Sequence, residues 1–267
     1  MKQFVGSIVE VEHDGEHTLR IVCRNCNDLD SSLPGQFVMF RPTSWKADPL
    51  LGRPLSILAA GNGRAEFLVR MAGKGTLMLE SLKTDDEVLI LGPIGRAFPE
   101  PEPGVHTILA AGGVGLPPLL MWAERALNTP GICTTLIYGA QTKKDLLSVD
   151  RIKRLENTDQ NNCFKVVWTT DDGSHGRKGL VTDSLQDVLN DCADGDCRVF
   201  ACGPNAMMKG IAEICSAKKI PCWVSLENRM ACGRGVCLGC ALEDPDGNFF
   251  LVCEHGPVKK AEMVKWA

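Results

Sequence analysis

Hydrophobic and polar positions alternate in short runs over the first hundred residues, and turn signals separate the runs. The first two runs, within SIVEVEHDGEHTLRIVC, flank Asp14-Gly15, a dipeptide typical of a tight hairpin turn. Four more runs follow at similar spacing: GQFVMFRP, RPLSILAA, RAEFLVRMA and DEVLILGPIG. This pattern predicts a small antiparallel β-barrel or sandwich over residues 1–100.

The pattern changes near residue 105, where longer apolar runs begin to alternate with helical stretches. The predicted strands are HTILAAGG, CTTLIYGA, CFKVVWTT and CRVFACGP. The predicted helices include LPPLLMWAERAL, LVTDSLQDVLND and NAMMKGIAEICSAK. Such alternation is typical of a doubly wound parallel sheet, so we expect an α/β domain over residues 101–226, after the proline-rich linker AFPEPEPGVH.

The composition narrows the class of protein. The chain has 267 residues, of which 23% are charged, and a net charge of −4, which disfavours nucleic acid or an anionic membrane as partner. No apolar run approaches the roughly 20 residues that a membrane span needs, and the amino terminus does not resemble a signal peptide. Thirteen cysteines, an odd number, indicate reduced thiols in the cytoplasm rather than a disulfide framework.

Three of these cysteines lie within the glycine-rich stretch RMACGRGVCLGCA. Cys232, Cys237 and Cys240 have the spacing C-x4-C-x2-C, and Cys253 follows after twelve further residues. This is the plant-type spacing of a [2Fe–2S] cluster, which needs four thiolate ligands. The intervening glycines fit, because a loop around a cluster needs unusual backbone angles and close approach of its amides to the sulfurs.

Two other interpretations of the cysteines remain open. A zinc site would pair Cys237 and Cys240 with the other C-x2-C, at Cys23 and Cys26, but it would leave Cys232 unused. Alternatively, the cysteines are buried structural thiols, which a glycine-rich triplet disfavours. For the nine cysteines outside the cluster pattern, we predict burial.

Two short motifs in the barrel region are suited to hold phosphates. In RPLS, Arg53 is able to bind a phosphate bidentately and Ser56 to hydrogen-bond a flavin ring nitrogen as a catalytic group, although the tetrapeptide alone is typical of an ordinary strand start. In GKGT, Gly73 and Gly75 precede a helix predicted to begin near Thr76, which makes an anion site of backbone amides. Two such elements in one barrel indicate a dinucleotide such as FAD.

The α/β region carries a second phosphate-binding pattern. ILAAGGVGLPPLL resembles the dinucleotide fingerprint, although Pro118 stands where the third glycine is expected; proline is compatible with a first helical turn. The motif ACGP, with Cys202 and Gly203, repeats the strand–turn–helix arrangement, and Cys202 is either a catalytic thiol or a buried one. The glycines predicted to approach a pyrophosphate are Gly112, Gly113 and Gly115.

Charged residues bear on the choice between NAD and NADP. Asp171 and Asp172 follow a predicted strand and suit a ribose diol, which favours NAD. Lys143 and Lys144 are the alternative, because they would suit a 2′-phosphate, although loop lysines are usually only solvated. We therefore predict NAD.

The three predicted cofactors imply a path for electrons. A nicotinamide exchanges two electrons at once and a [2Fe–2S] cluster exchanges one, and a flavin mediates between them because it does both. The chain has no separate site that would oxidise an organic substrate. We therefore expect the other end of the path to lie in a second protein.

The motifs RPLS, GKGT, LGPIG, AAGGVGLPP and ACGP, in this order, resemble the ferredoxin–NADP reductase superfamily. Three more, TTDDGSHGRKGLVTDSL, SLENRMACGRGVCLGCA and VCEHGPV, closely resemble the electron-transfer subunits of NAD-linked dihydroorotate dehydrogenase. The resemblance spans nearly the whole chain, and the cluster segment is its most specific part.

This resemblance implies a FAD-binding barrel, a NAD-binding domain and a C-terminal [2Fe–2S] module over residues 227–267. It implies a partner, an FMN-containing dihydroorotate dehydrogenase catalytic subunit, in a heterotetramer of two copies of each. Electrons would pass from that FMN through the cluster and FAD to NAD⁺, in pyrimidine synthesis. It also implies that the four cysteines ligate the cluster. The residues that it implies at FAD are Arg53, Pro54, Leu55, Ser56, Val69, Arg70, Met71, Gly75 and Thr76.

The sequence departs from the family pattern at two places. Arg234 occupies a position where a small or apolar residue is expected, and EHGPVKKAEM is more basic than the usual ending. Both departures would alter the docking surface or the cluster potential, so they concern the identity of the partner rather than the fold. One alternative is a related flavin and iron–sulfur NAD(P)H reductase subunit of another complex, of the ferredoxin–NADP reductase or sulfide dehydrogenase type. An alternative from another class is a zinc-stabilised adaptor protein.

Overall fold

A computed structural model describes residues 1–159, 163–190 and 197–266. The chain divides into two compact units. The first unit joins Met1–Ala97 with Leu226–Val258, and the second joins Phe98–Ser225 with Lys259–Ala267. The first unit is therefore discontinuous in sequence. The predicted division into three domains at residues 100 and 226 stays a prediction.

The first unit contains a closed six-stranded barrel with the strand order β1-β2-β5-β4-β3-β6, in which β6 pairs back onto β1. All six pairings are antiparallel. The strands are β1 Lys2–His13, β2 Thr18–Arg24, β3 Phe37–Pro42, β4 Arg53–Gly61, β5 Arg64–Arg70 and β6 Glu87–Ile94. A one-turn helix, α1 Lys74–Met78, connects β5 to β6.

The barrel closes around side chains that the alternating pattern turns inward. Phe40 and Phe67 meet edge to face in its core, with ring centroids 5.6 Å apart. Ile8, Ile21 and Ile57 are fully buried beside other aliphatic residues. Burying one such side chain stabilises the fold by about 1.5–3 kcal/mol, which explains why the pattern predicts these strands well.

The second unit is built on a seven-stranded sheet with the strand order β10-β9-β8-β7-β11-β12-β15, and the strands from β10 to β12 are parallel. Its strands and helices in chain order are β7 His106–Gly112, α2 Leu116–Leu127, β8 Thr134–Ala140, α3 Val149–Thr158, β9 Phe164–Thr170, β10 Arg177–Lys178, α4 Val181–Asn190, β11 Cys197–Cys202, α5 Asn205–Lys218 and β12 Cys222–Ser225. Strand β15 Val258–Lys260 completes this sheet, whereas β13 Ala241–Glu243, β14 Phe249–Leu251 and α6 Val252–His255 belong to the first unit. The antiparallel pair β13–β14 forms a separate small sheet.

The strand order of the second unit reverses between β7 and β11. Chain direction runs outward from β7 through β8 and β9 on one side and through β11 and β12 on the other. Aromatic packing holds this centre, because Phe200 of β11 stacks on Phe98 at 4.9 Å and meets Trp122 of α2 at 5.4 Å. Open α/β sheets bind ligands at such a reversal, beyond the carboxyl ends of the strands.

The predicted fold class, an antiparallel barrel followed by a doubly wound parallel sheet, is confirmed. One local prediction is wrong: the helix expected from Thr76 begins at Lys74, with Gly73 as its N-cap, and has only five residues. So short a helix has little macrodipole, so an anion there would depend on side chains and individual amides. The prediction of a proline-tolerant helix start is confirmed by α2, which begins after Gly115 with proline in its first turn.

None of the helices in the described part of the chain is both long and apolar enough to cross a bilayer.

Candidate functional site

The four cysteines of the predicted cluster come together in the first unit, on residues 226–258. The sulfurs of Cys240 and Cys253 lie 3.3 Å apart, and the thiols of Cys232 and Cys237 are hydrogen-bonded to each other. Cys232 also lies close enough to raise the pKa of Cys253. The sulfurs thus form two neighbouring pairs. In a [2Fe–2S] cluster four thiolates bind two irons, so a two-plus-two arrangement fits this group.

Backbone amides point at the cysteine sulfurs. The N–H of Arg234 donates to Cys232 Sγ over 3.3 Å, and the N–H of Gly235 donates to Cys253 Sγ over 3.2 Å. The Arg234 amide is the main cause that lowers the pKa of Cys232 to about 6, so this sulfur is a thiolate at neutral pH. Burial, followed by the neighbouring Cys240 thiol, raises the pKa of Cys253 to about 11. Binding of iron at Cys253 therefore requires release of a proton.

The cluster loop, defined as residues 232–240, is shaped by left-handed backbone conformations. Gly233 has φ +63° and Gly235 has φ +74°, values that glycine adopts without steric cost. Leu238 also has a positive φ of +58°, which is uncommon for a large side chain. These turns wind the loop tightly enough for its amides to face the sulfurs.

The cluster loop lies directly on the barrel. A Cβ atom at Gly233 would come within 2.6 Å of Met39 Cγ and 3.1 Å of Ile94 Cδ1, so glycine is needed for this contact. Met39 belongs to β3 and pairs across the sheet with Pro54 of β4, which is part of the RPLS motif. The cluster loop and the predicted flavin motif are therefore separated by one strand, and neighbouring strands lie about 4.8 Å apart.

Three further contacts fasten the carboxyl-terminal segment to the barrel and to itself. Arg234 Nη2 donates to Gln3 Oε1 of β1 over 2.7 Å. The Arg96 N–H, just after β6, donates to the Gly256 carbonyl over 2.6 Å. The Leu226 N–H donates to the Pro257 carbonyl over 2.9 Å, which ties the two ends of the segment together. The unexpected Arg234 is thus an anchor of the cluster loop.

The zinc alternative receives no support from the geometry. Cys23 and Cys26 are buried in the barrel and their thiols are hydrogen-bonded to each other, whereas Cys237 is exposed on the cluster loop. Across the described ranges, no three cysteine, histidine or carboxylate side chains converge on a single metal ion. A tetrahedral zinc site needs four ligands on one ion, unlike a cluster with two sulfurs for each iron.

The two predicted phosphate-binding motifs of the barrel are in contact. The Arg53 guanidinium lies so close to Gly75 that a side chain at position 75 would overlap it. The same guanidinium donates to the Leu51 carbonyl over 3.1 Å and packs over the Trp45 ring at 5.5 Å. Arg53 is thus held in place at GKGT, where a planar cation suits a phosphate.

The other predicted flavin residues differ in exposure. Leu55 and Val69 are buried in the barrel. Thr76 Oγ1 accepts hydrogen bonds from the amides of Ala72 and Gly73 and thereby caps α1. The exposed or half-buried side chains are those of Pro54, Ser56, Arg70 and Met71.

The predicted nucleotide glycines meet at the carboxyl edge of the second unit. We define residues 112–115 as the nucleotide turn, which follows β7. A Cβ at Gly115 would overlap the Cys202 carbonyl of β11, and one at Gly112 would lie 2.7 Å from Met207 Sδ. Gly203, just after β11, would likewise place a Cβ 3.1 Å from Gly112 Cα. This close packing lies at the strand-order reversal, as expected for a dinucleotide site.

The predicted specificity residues lie at the same edge of the sheet. Asp171 and Asp172 are exposed beyond β9, and the Asp172 carboxylate accepts from the Ser174 amide at 2.9 Å and hydroxyl at 2.6 Å. The Ser174 hydroxyl is the main cause that lowers the pKa of Asp172. The Lys143 amide donates to Ser174 Oγ over 2.7 Å, so the acidic and basic candidates share one loop cluster. Their roles stay predictions.

Several functional contacts were not predicted from sequence. The sequence pattern predicts Met39 and Ile94 to be ordinary core residues, but the cluster loop packs against both of them. Gln3 holds Arg234, and Trp45 packs on Arg53, but neither pairing has a local spacing signal because the partners are far apart in the chain. The prediction that the nine other cysteines are buried is wrong for Cys133, which is exposed, and for Cys163, which is half-buried; Cys192 lies outside the described residues.

Two protein-family models match the chain. Residues 109–213 match the oxidoreductase NAD-binding domain, and residues 227–265 match the iron–sulfur cluster binding domain of dihydroorotate dehydrogenase B. The matched ranges cover the nucleotide turn and the four cysteines.

Two curated relatives from different bacteria carry the same name. The electron transfer subunit of dihydroorotate dehydrogenase B (NAD(+)) from Desulforamulus reducens is 36% identical over 88% of this chain and 87% of its own length. The corresponding subunit from Bacillus cereus strain B4264 is 38% identical over 84% of each chain. A chain in the solved structure of the NADH-dependent reduced ferredoxin-NADP oxidoreductase superposes with a TM-score of 0.82. It is 27% identical and covers 98% of this chain and 90% of its own length.

These findings confirm the predicted resemblance and an oxidoreductase electron-transfer role. The predicted cofactor set of FAD, a [2Fe–2S] cluster and NAD is confirmed at the level of the family, whereas the individual binding residues stay predictions. The chain belongs to the family of electron transfer subunits of the NAD⁺-dependent dihydroorotate dehydrogenase B.

Proposed function

We propose that this chain passes electrons from the FMN of a dihydroorotate dehydrogenase catalytic subunit to NAD⁺, by way of a [2Fe–2S] cluster and FAD. The observation that carries the proposal is the contact of Gly233 with Met39. Because Met39 pairs with Pro54, the cluster loop contacts the strand adjacent to the one that carries RPLS, within one compact unit. Two cofactors bound there would be close neighbours.

The cysteines would hold the cluster in two pairs, Cys232 with Cys237 and Cys240 with Cys253. The Cys232 thiolate is already favoured at neutral pH, and the amides of Arg234 and Gly235 would stabilise negative charge on the sulfurs. Burial of Cys240 and Cys253 limits access of water to one side of the site, whereas Cys237 faces solvent.

The barrel and the parallel sheet would position the other two cofactors. Arg53, held by Trp45 and the Leu51 carbonyl, would bind the FAD pyrophosphate, and Ser56 would donate to the flavin ring. A bound flavin supplies the conversion between one-electron and two-electron transfer. In the second unit, the nucleotide turn would present amides to the NAD pyrophosphate, and Cys202 and Gly203 would border the nicotinamide.

The exposed face of the cluster loop would receive the catalytic subunit. Val236 is 78% exposed and Leu238 is 64% exposed, although both are apolar and flank the proposed ligand Cys237. An apolar rim around an exposed ligand suits a protein partner. We propose a heterotetramer of two copies of each subunit that works in the cytoplasm, where the thiolates stay reduced.

Replacement of one ligand tests the proposed path. In Cys237→Ser an alkoxide would replace a thiolate, so the cluster should be lost while FAD stays bound. Wild type should contain about two irons and one FAD per chain, and zinc in place of iron would overturn the proposal. The variant should still accept electrons from NADH and pass them to an artificial acceptor. With dihydroorotate and the catalytic subunit, NAD⁺ reduction should fall by more than about 100-fold.

Cys133→Ser is the matched control, because Cys133 is an exposed cysteine outside the cluster segment. It should retain iron and the full rate of NAD⁺ reduction. A cluster-free Cys237→Ser variant that reduced NAD⁺ from dihydroorotate at the wild-type rate would show the proposed path to be wrong.

A second candidate function follows from the structural comparison. The chain that superposes over 98% of this one comes from the structure of a ferredoxin-NADP oxidoreductase, so a reductase subunit of such a complex shares this fold. The higher identity to the dihydroorotate dehydrogenase B subunits favours the first function. Purified protein that exchanged electrons with ferredoxin and NADPH, but not with dihydroorotate dehydrogenase and NAD⁺, would reverse this choice.

A further inference from the structure

Two cysteines outside the cofactor motifs lie side by side at the amino edge of the parallel sheet. Cys133 and Cys163 immediately precede β8 and β9, whose register pairs Thr134 with Phe164. The Thr134 N–H donates to the Cys163 carbonyl over 2.7 Å, so the ladder of hydrogen bonds continues to this point. Adjacent strands lie about 4.8 Å apart, within the roughly 4.4–6.8 Å between Cα atoms that a disulfide requires.

The two side chains point to the same side and touch. Their thiols form a hydrogen bond, which is the main cause that raises the pKa of Cys133 to about 11. Asp159 contributes to the increase and Lys165 opposes it. Cys133 is exposed and Cys163 is half-buried, so a small reagent in solution has access to the pair.

Outside the cluster segment, the described residues contain two other thiol pairs for comparison. Cys23 with Cys26, and Cys215 with Cys222, are also hydrogen-bonded, but all four residues are buried. In both pairs the hydrogen bond and burial raise the pKa of one thiol, Cys23 and Cys222 respectively. These pairs are core packing. Among the described cysteines that do not belong to the cluster segment, only Cys133 and Cys163 combine proximity with access.

We propose that Cys133 and Cys163 form a surface dithiol that low-molecular-weight disulfides of the glutathione type oxidise to an intramolecular disulfide. Cys133, the more exposed of the two, loses its proton as it attacks the reagent's S–S bond and releases one thiol, which leaves a mixed disulfide on Cys133. The Cys163 thiolate then attacks Cys133 Sγ and releases the second thiol. One disulfide of the protein forms, one disulfide of the reagent is reduced to two thiols, and the two protein protons are transferred to them.

The new bond would join the starts of β8 and β9 and close a long chain segment. Because this restricts the unfolded chain, the oxidised second unit should be more stable. The nucleotide loops lie at the other ends of the same strands, and the seven residues of β8 span roughly 23 Å. Oxidation should therefore raise the melting temperature without changing the affinity for NADH.

The test uses the purified holoprotein, incubated with glutathione disulfide and then alkylated and mapped by mass spectrometry. We expect a peptide pair linked through Cys133 and Cys163 and two glutathiones released per chain. The buried pairs in the same sample should stay reduced until denaturant is added. Cys133→Ser should lose the link, while its iron and FAD content stays that of wild type.

Phenylarsine oxide, which bridges two neighbouring thiols, provides a second measurement that needs no strand movement. Wild type should bind one equivalent under native conditions, and both Cys133→Ser and Cys163→Ser should bind none at this site. Binding that survives in both variants, or stable mixed glutathione adducts without the linked peptide, would overturn the proposal.

Discussion

The nucleotide turn and the cluster loop are both rich in glycine, but they need glycine for different physical reasons. Gly115 has φ −74°, which any residue adopts, and a side chain is excluded only because the Cys202 carbonyl occupies its place. Gly235 has φ +74°, and the atom nearest to an added Cβ would be the carboxylate end of the flexible Glu254 side chain. One turn is limited by space, and the other is limited by backbone conformation.

Gly113 makes the comparison sharper within a single turn. It has φ +51° and no atom within 4 Å of the position where its Cβ would lie. It therefore needs a left-handed conformation but no space, which is the opposite of Gly115 two residues later. The spacing of glycines in a motif does not reveal which of these requirements applies at a given position.

Among the variants that test this comparison, Gly115→Ala has the largest expected effect. The added methyl group meets backbone on the neighbouring strand, which has no rotamer to change, so β11 or α2 must shift. We expect the free energy of unfolding to fall by roughly 2–3 kcal/mol and flavin reduction by NADH to slow by at least about tenfold. Chemical denaturation and stopped-flow reduction by NADH measure these changes.

Gly113→Asn is the matched control for this variant. Asparagine tolerates the left-handed region, and the position is open, so the loss should stay within about 1 kcal/mol. Equal losses for the two variants would contradict the distinction between space and conformation.

A smaller effect is expected for Gly235→Ala in the cluster loop. A left-handed alanine costs about 1–2 kcal/mol, whereas the Glu254 carboxylate can turn away. The double variant Gly235→Ala with Glu254→Ala should therefore be no more stable than the single variant, and Gly235→Asn should recover part of the loss. Thermal unfolding together with iron content per chain provides the measurement. Full rescue by Glu254→Ala would mean that space, not conformation, governs this position.

The smallest effect concerns nucleotide choice, at the same edge of the sheet as the nucleotide turn but two strands away. Wild type should be reduced faster by NADH than by NADPH, because Asp171 and Asp172 would repel a 2′-phosphate. Asp171→Asn should raise the NADPH-to-NADH rate ratio a few-fold. Asp172→Asn should raise it less, because the Asp172 carboxylate is already engaged by Ser174. Flavin reduction at equal nucleotide concentrations measures both ratios, and an NADPH preference in wild type would assign the specificity to Lys143 and Lys144.

Much of the fold follows from local patterns, and the reason is visible in the strands. In β5 the alternation is clear over Arg64–Phe67, where Ala65 and Phe67 are buried and their neighbours are not, and it then gives way to the fully buried run Phe67–Val69. The one-turn helix α1 was placed two residues late because five residues carry almost no periodicity. The hydrogen bond between the Thr76 hydroxyl and the Gly73 amide fixes that start instead.

The candidate site also has a part that local sequence predicts and a part that it does not. Ligand spacing within Cys232–Cys240 is local and therefore readable, because a cluster imposes it on one short loop. The surface on which that loop packs cannot be predicted locally. Met39 and Gly233 are far apart in the sequence and come into contact only when the barrel has formed. The position of Cys133 next to Cys163 was not predicted, because it depends on the register in which β8 pairs with β9.

The discontinuous first unit has a consequence for how the protein is made. Met1–Ala97 leaves the ribosome well before Leu226–Val258, and translation of the intervening residues takes on the order of 10 s. During that interval the nascent barrel carries Met39 and Ile94 without the loop that will cover them. Any chaperone that shields this surface must therefore act before iron and sulfide are delivered, because the last cysteine of the set, Cys253, is synthesised only after the whole of Phe98–Ser225.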